Sequence, residues 1–223
     1  MLPRRHIPNA ITITRLVLTA ACIACLSRID YSRDHYEPWV ALGLITFCVA
    51  ALSDWLDGFL ARRWDVISQF GRIMDPLADK VLILGAFILL AGPGFAFPDS
   101  KTSLWPHLIT FTGVYPWMVV VMLTRELLVT GLRSAMEGAG QSFGAVGLGK
   151  VKMFLQSLVI ITILAQLTFY PPGFEQSWMR ITRDVLLYVT VAVTVLSAWP
   201  YVAAAVRAST RHNPEPSEVT PDC

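Results

Sequence analysis

Four aspartates, Asp54, Asp57, Asp75 and Asp79, carry the chemistry that this sequence offers most clearly. They lie within SDWLDGFLARRWDVISQFGRIMDPLADK, Ser53 to Lys80, at the facing ends of two segments otherwise apolar enough to cross a membrane. A carboxylate near hydrocarbon costs about 3 kcal/mol unless it is paired or metal-bound, so four in one stretch mark a functional site. In a helix, Asp57 follows Asp54 by three residues and Asp79 follows Asp75 by four, so each pair shares a helical face. Hard carboxylate oxygens select Mg²⁺ or Mn²⁺ over zinc, whose His and Cys ligands are absent from this stretch. Four carboxylates can hold two such ions, and paired ions clamp a phosphoryl group for in-line displacement. Gly58 and Gly71 remove bulk where a backbone must approach a ligand closely. Arg62 presents a planar fork of donors suited to phosphate oxygens. The expected site binds a diphosphate, and at a membrane boundary that diphosphate belongs to a lipid. Helix-capping acids would account for Asp75, but not for Asp54 and Asp57, which precede a helix C-terminus where negative charge is unfavourable.

The elements that must position these residues are membrane helices. Hydrophobic side chains make up 54% of the 223 residues and charged ones 15%, with a mean hydropathy of +0.54. Soluble domains carry charge on about a quarter of residues. The net charge of +2 gives no reason to expect a nucleic-acid partner. Apolar runs predict spans from Ile7 to Leu26, Pro38 to Leu60, Ile73 to Phe97, Tyr115 to Met136, Lys150 to Phe169 and Ile181 to Val206. The expected fold is all-α: one polytopic, six-transmembrane-helix bundle over residues 1–206, with a polar, disordered tail over 207–223. Arg15 interrupts the first run, which therefore reads as an uncleaved helix rather than a signal peptide. Pro76 is expected in a first helical turn. The mixed stretch 98–114, with Trp105 and His107, suits an interfacial segment.

Six spans put both termini on one side. The termini and the second and fourth loops hold eleven Lys and Arg residues near helix ends, against five in the other loops. The positive-inside rule then places both termini and the aspartates in the cytoplasm. Cys22, Cys25 and Cys48 fall in apolar runs and Cys223 is terminal, so no disulfide framework is expected. His6, His35, His107 and His212 lie scattered at termini and loops, which argues against a catalytic histidine. Helices four and five add Arg125, Arg133, Lys150 and Lys152 on the aspartates' side, more cation than an uncharged acceptor needs. Topology and lipid headgroups alone would also draw cations to Arg133, Lys150 and Lys152. Glu126 can serve as the intramembrane partner of Arg125.

Asp54-x-x-Asp57-Gly58-x-x-Ala61-Arg62, eight further residues, then Gly71-x-x-x-Asp75-x-x-x-Asp79 resembles throughout the signature of the CDP-alcohol phosphatidyltransferase family. IPNAITITR from Ile7, TRELLVTGLR from Thr124 and GKVK from Gly149 resemble the bacterial branch whose acceptor is glycerol 3-phosphate. The resemblance implies transfer of a phosphatidyl group from CDP-diacylglycerol to the 1-hydroxyl of glycerol 3-phosphate, with release of CMP. It implies Mg²⁺ or Mn²⁺ held by Asp54, Asp57, Asp75 and Asp79, with Asp79 also the general base. The residues alone leave open which carboxylate takes the proton. It implies that Gly58, Ala61, Arg62 and Gly71 accommodate the cytidine diphosphate, and that the protein is a homodimer in the cell membrane. Thr12 and Arg15 are expected to complete the donor site, and Arg125, Arg133, Lys150 and Lys152 to grip the acceptor phosphate.

Two rival readings remain at this level. One keeps the reaction and changes the acceptor to inositol phosphate, phosphatidylglycerol or serine. The other is a transporter whose aspartates coordinate a permeating cation.

Overall fold

Six α-helices and one 3₁₀ turn make up the described residues of the computed structural model, which are 7–30, 37–64, 69–95, 110–138, 148–170 and 176–204. Within these segments, the side chains of 7–12, 54–64, 69–73, 75, 76, 137, 148 and 150 are outside the description. The expected tail 207–223 and the stretch around Trp105 and His107 also lie outside the described residues. In chain order the helices are α1 (Ile7–Ser27), α2 (Glu37–Trp64), α3 (Gln69–Leu90), α4 (Pro116–Gly138), α5 (Leu148–Phe169) and α6 (Ser177–Leu196). The 3₁₀ turn Pro93–Phe95 follows α3.

α1 packs on both α2 and α3, while α5 packs on α2, α3 and α6. α4 lies against α3 and α6, so α3 is held by α1, α4 and α5 together. Leu26, Phe47, Phe87, Leu90, Met122, Ile160 and Leu164 fill the centre and are almost wholly buried. The outer faces are also apolar: Val17, Ile45, Leu127, Phe154, Val185 and Leu196 are each more than half exposed. Arg15, Thr19, Gln156, Thr190 and Thr194 are buried inside. Polar groups within and large apolar side chains without form the distribution that a hydrocarbon solvent selects. Val151–Phe169 and Ser177–Ala204 are long and apolar enough to cross a bilayer, and Ile13–Ser27 and Glu37–Ser53 are shorter apolar stretches.

The helix ends depart from the hydropathy reading where the aspartates lie. α2 continues to Trp64 and α3 begins at Gln69, so four residues connect them rather than about ten. At 28 residues α2 is about 42 Å long, more than the thickness of a bilayer's hydrocarbon, about 30 Å. Hydropathy marks where the apolar run stops, whereas the helix continues past it. Pro76 therefore falls in the second turn of α3 rather than the first. It has no N–H to give the Arg72 carbonyl, a substitution that costs about 3 kcal/mol in an ordinary helix interior. α6 also ends earlier than expected. Pro200 cannot donate to the Leu196 carbonyl, and the chain turns at Ser197 and Ala198 before helical residues resume at 199–204.

At the end of the bundle away from the aspartates, residues 110–114 cap α3. The Thr112 hydroxyl donates to the Leu90 carbonyl at 2.8 Å, satisfying an acceptor left over at the helix end. Phe111 N–H donates to the Phe95 carbonyl at 2.8 Å, and Arg183 Nη1 donates to the Phe111 carbonyl at 2.5 Å. Gly113 makes the turn with φ +68°, and a Cβ there would stand 2.8 Å from Asp184 Oδ1 and 2.9 Å from Arg183 Nε. Gly113→Ala is expected to destabilise the protein by about 1–3 kcal/mol through left-handed strain and displacement of Arg183. Thermal unfolding in detergent should show the loss, while the activity of the folded fraction stays at the wild-type level.

Candidate active site

Both signature segments lie inside continuous helices. Asp54 and Asp57 occupy one face of α2, ten and seven residues before its end, and Asp75 and Asp79 occupy one face of α3. At 1.5 Å per residue, Asp54 and Asp79 each stand about 15 Å from the end nearer the short connection. Gly58, Ala61 and Arg62 follow on α2, and Gly71 precedes on α3. The side chains of Asp54, Asp57, Asp75, Ala61 and Arg62 are outside the described residues, as are those of Thr12 and Lys150.

Asp79 is described in full. Arg15 Nη1 donates to its Oδ1 at 3.4 Å, and the Arg15 side chain is 1% exposed. This pair ties the middle of α1 to α3 and gives a buried guanidinium a carboxylate to face. Arg15, assigned by sequence to the donor site, is thus brought to the last aspartate of the signature.

Asp79 also lines a cavity of about 230 Å³ between α3, α4 and α5. Lys80, Glu126, Lys152 and Gln156 line it with polar groups, and Ile83, Leu84 and Met153 line it with apolar ones. α4 and α5 do not pack broadly on one another; they meet across this space through Glu126, whose carboxylate accepts a hydrogen bond from Lys152 Nζ. The same Glu126 Oε1 accepts from Arg125 Nη1 at 3.0 Å. All three side chains are largely buried, and a carboxylate between two cations is how such charge is tolerated there.

Arg125 faces the helix packing rather than the cavity lining. Its Nη2 donates to the Ser197 carbonyl at 3.3 Å. That carbonyl is available because Pro200 breaks α6 and Tyr201 N–H turns back to Ala198. Pro200, 121 residues beyond Asp79 in sequence, thus frees the acceptor that anchors Arg125. Arg133 is exposed farther along α4 and does not line the cavity. Of the four cations proposed for the acceptor, Lys152 alone is described on the cavity wall.

Sequence reading did not select Lys80 or Gln156. Lys80 directly follows Asp79, and a lysine in an apolar helix is itself a functional signal. Gln156 follows Lys152 by four residues and so shares its face of α5. It is 2% exposed and its Nε2 donates to Thr194 Oγ1 at 3.4 Å, holding α5 to α6.

This network predicts an order of stabilities. Glu126→Met leaves Arg125 and Lys152 buried without their anion and should cost about 3–5 kcal/mol. Arg125→Met, which keeps the Glu126–Lys152 pair, should cost about 1.5–3 kcal/mol. Chemical unfolding in mixed micelles, comparing the two variants, checks the order.

Comparison with known proteins bears on this geometry. The pattern of the CDP-alcohol phosphatidyltransferase family matches residues 5–196. A CDP-diacylglycerol–glycerol-3-phosphate 3-phosphatidyltransferase of Bacillus subtilis (strain 168) is 34% identical over 203 residues, covering 88% of this chain and 93% of its own. Proteins of the same name from Salmonella choleraesuis (strain SC-B67) and Escherichia coli (strain K12) are each 32% identical over 202 residues, covering 90% of this chain and 94% of their own.

Proposed function

The chain belongs to the CDP-alcohol phosphatidyltransferase family, and from that premise we propose that its acceptor is glycerol 3-phosphate, the product being phosphatidylglycerophosphate. Family membership makes it an integral-membrane transferase of phospholipid biosynthesis whose donor is a CDP-alcohol. The choice of acceptor rests on one observation above the others: Asp79 and Lys152 line one small cavity. A carboxylate able to take a proton and an ammonium able to hold a phosphate thus face the same space. At about 230 Å³ the cavity lies below the 300–1,000 Å³ of drug-sized sites, which favours a small phosphorylated polyol over a second phospholipid. The names of the relatives point the same way.

In this reading the 1-hydroxyl of glycerol 3-phosphate gives its proton to Asp79 and attacks the phosphorus that bears diacylglycerol. A new phosphorus–oxygen bond forms, the bond to CMP breaks, and CMP leaves with the electron pair. Arg15 donates to Asp79 Oδ1, which fixes the orientation of a carboxylate whose residue lines the cavity. Arg62, Gly58, Ala61 and Gly71 receive the cytidine diphosphate. The family uses divalent metal ions, and the all-carboxylate donor set on one face of each of two continuous helices fits Mg²⁺ or Mn²⁺. Asp54, Asp57, Asp75 and Asp79 would hold such ions, which would supply charge neutralisation for the diphosphate and the leaving group.

Residues 1–206 form one catalytic unit in this proposal, a homodimer in the cell membrane with both termini and the site toward the cytoplasm. The surplus of Lys and Arg at that end supports the orientation. Ion transport, the other class consistent with buried aspartates, gains nothing from the family to which the chain belongs.

Purified protein should release CMP from CDP-diacylglycerol with Mg²⁺ and glycerol 3-phosphate, and resolving the lipid product identifies the acceptor. Product formed only with serine, inositol phosphate or phosphatidylglycerol overturns the assignment. Asp79→Asn should lower CMP release by about 10²–10⁴-fold if it removes the base. EDTA should abolish the reaction and added Mg²⁺ or Mn²⁺ restore it.

A further inference from the structure

Lys80 and Lys152 come from different helices and reach the same cavity, and α4 provides a post for each. Lys80 Nζ donates to Thr130 Oγ1 at 2.7 Å, and the Thr130 hydroxyl donates to the Glu126 carbonyl at 2.7 Å. Lys152 Nζ donates to the Glu126 carboxylate. Residues 126 and 130 are one turn apart on α4, so the two ammoniums are held side by side. An ammonium has three donors. Each of these spends one on its post, leaving donors without a partner among the described residues.

The local charge fits the same reading. Lys80, Arg125, Lys152 and Arg15 stand against the carboxylates of Glu126 and Asp79, an excess of two positive charges among these side chains. A phosphate monoester near neutral pH carries about −1.5 to −2. Ile83, Leu84 and Met153 line the same cavity, and apolar walls strengthen attraction between the charges. Asp79 and Lys80 are consecutive on α3 and both face this space, so a hydroxyl at one and a phosphate at the other require a short spacer.

We propose that Lys80 binds the acceptor's phosphate together with Lys152, and that Thr130 and Glu126 are positioning residues that fix the two ammoniums. The ligand class is a phosphate monoester of a small polyol, and the inference rests on the phosphorylated-acceptor reading given above.

Steady-state kinetics of the full-length protein in mixed micelles test it, with inorganic phosphate as a competing probe. Lys80→Met should raise KM for glycerol 3-phosphate about tenfold or more, the worth of a charged hydrogen bond, with KM for CDP-diacylglycerol little changed. Lys80→Arg should recover most of the loss. Inorganic phosphate should compete with the acceptor in the wild type and much less in Lys80→Met. Should Lys80→Met fail to fold, Thr130→Val, which removes the post and keeps the ammonium, carries the test through a smaller rise in the same KM. Unchanged acceptor KM and unchanged phosphate inhibition in Lys80→Met overturn the proposal, as does a fall in kcat alone. Absence of product with glycerol 3-phosphate in the wild type is instead a failure of the acceptor reading. Phosphate competition against whichever acceptor is then found still decides the role of Lys80.

Discussion

A carboxylate shared by two buried cations organises the middle of this bundle. Glu126 takes hydrogen bonds from Arg125 on its own helix and from Lys152 across the cavity, and without it both cations would be stranded away from water. The same requirement explains the neighbours. Arg125 reaches the Ser197 carbonyl that a proline break releases, and Arg15 reaches Asp79. Each of these buried charges finds a partner on another element, so the charges around the cavity also register the helices on one another.

That economy explains why α4 and α5 can stand apart. Two helices that packed closely along this stretch would close the space at Asp79, whereas an ion pair holds them at a distance set by two side chains. The cavity is therefore a product of the network rather than a defect in packing. At the other end of the bundle, Thr112, Gly113 and Arg183 lock α3 and α6 through backbone carbonyls.

Much of this was legible in the sequence, for physical reasons that also set the limits. Four aspartates at helical spacing in an apolar context have few explanations, and the apolar runs needed to bury their helices are long enough to count. The ends of α2 and α3 were misjudged because Arg62, Arg63 and Arg72 signal where hydrocarbon stops, not where hydrogen bonding along the helix stops. The break in α6 was written in Pro200 but hidden in a run that hydropathy scores as continuous. The fate of Arg125 could not be read at all: whether a cation faces substrate or a stray carbonyl depends on packing between α4 and α6, which no local pattern encodes. Lys80 was missed for the opposite reason, since it stood beside a residue of such obvious meaning.

The overshoot of α2 beyond a bilayer's width has one more consequence. Asp54 and Asp57 are placed by counting residues from the apolar half of the same rigid helix, so their depth is fixed relative to the surrounding acyl chains. A thicker bilayer would draw them toward hydrocarbon or tilt the helix, and either response costs a fraction of a kcal/mol per Å of mismatch. The composition of the surrounding lipid thereby acts on the height of the carboxylates, which makes membrane thickness a physical variable of a protein whose family builds the membrane.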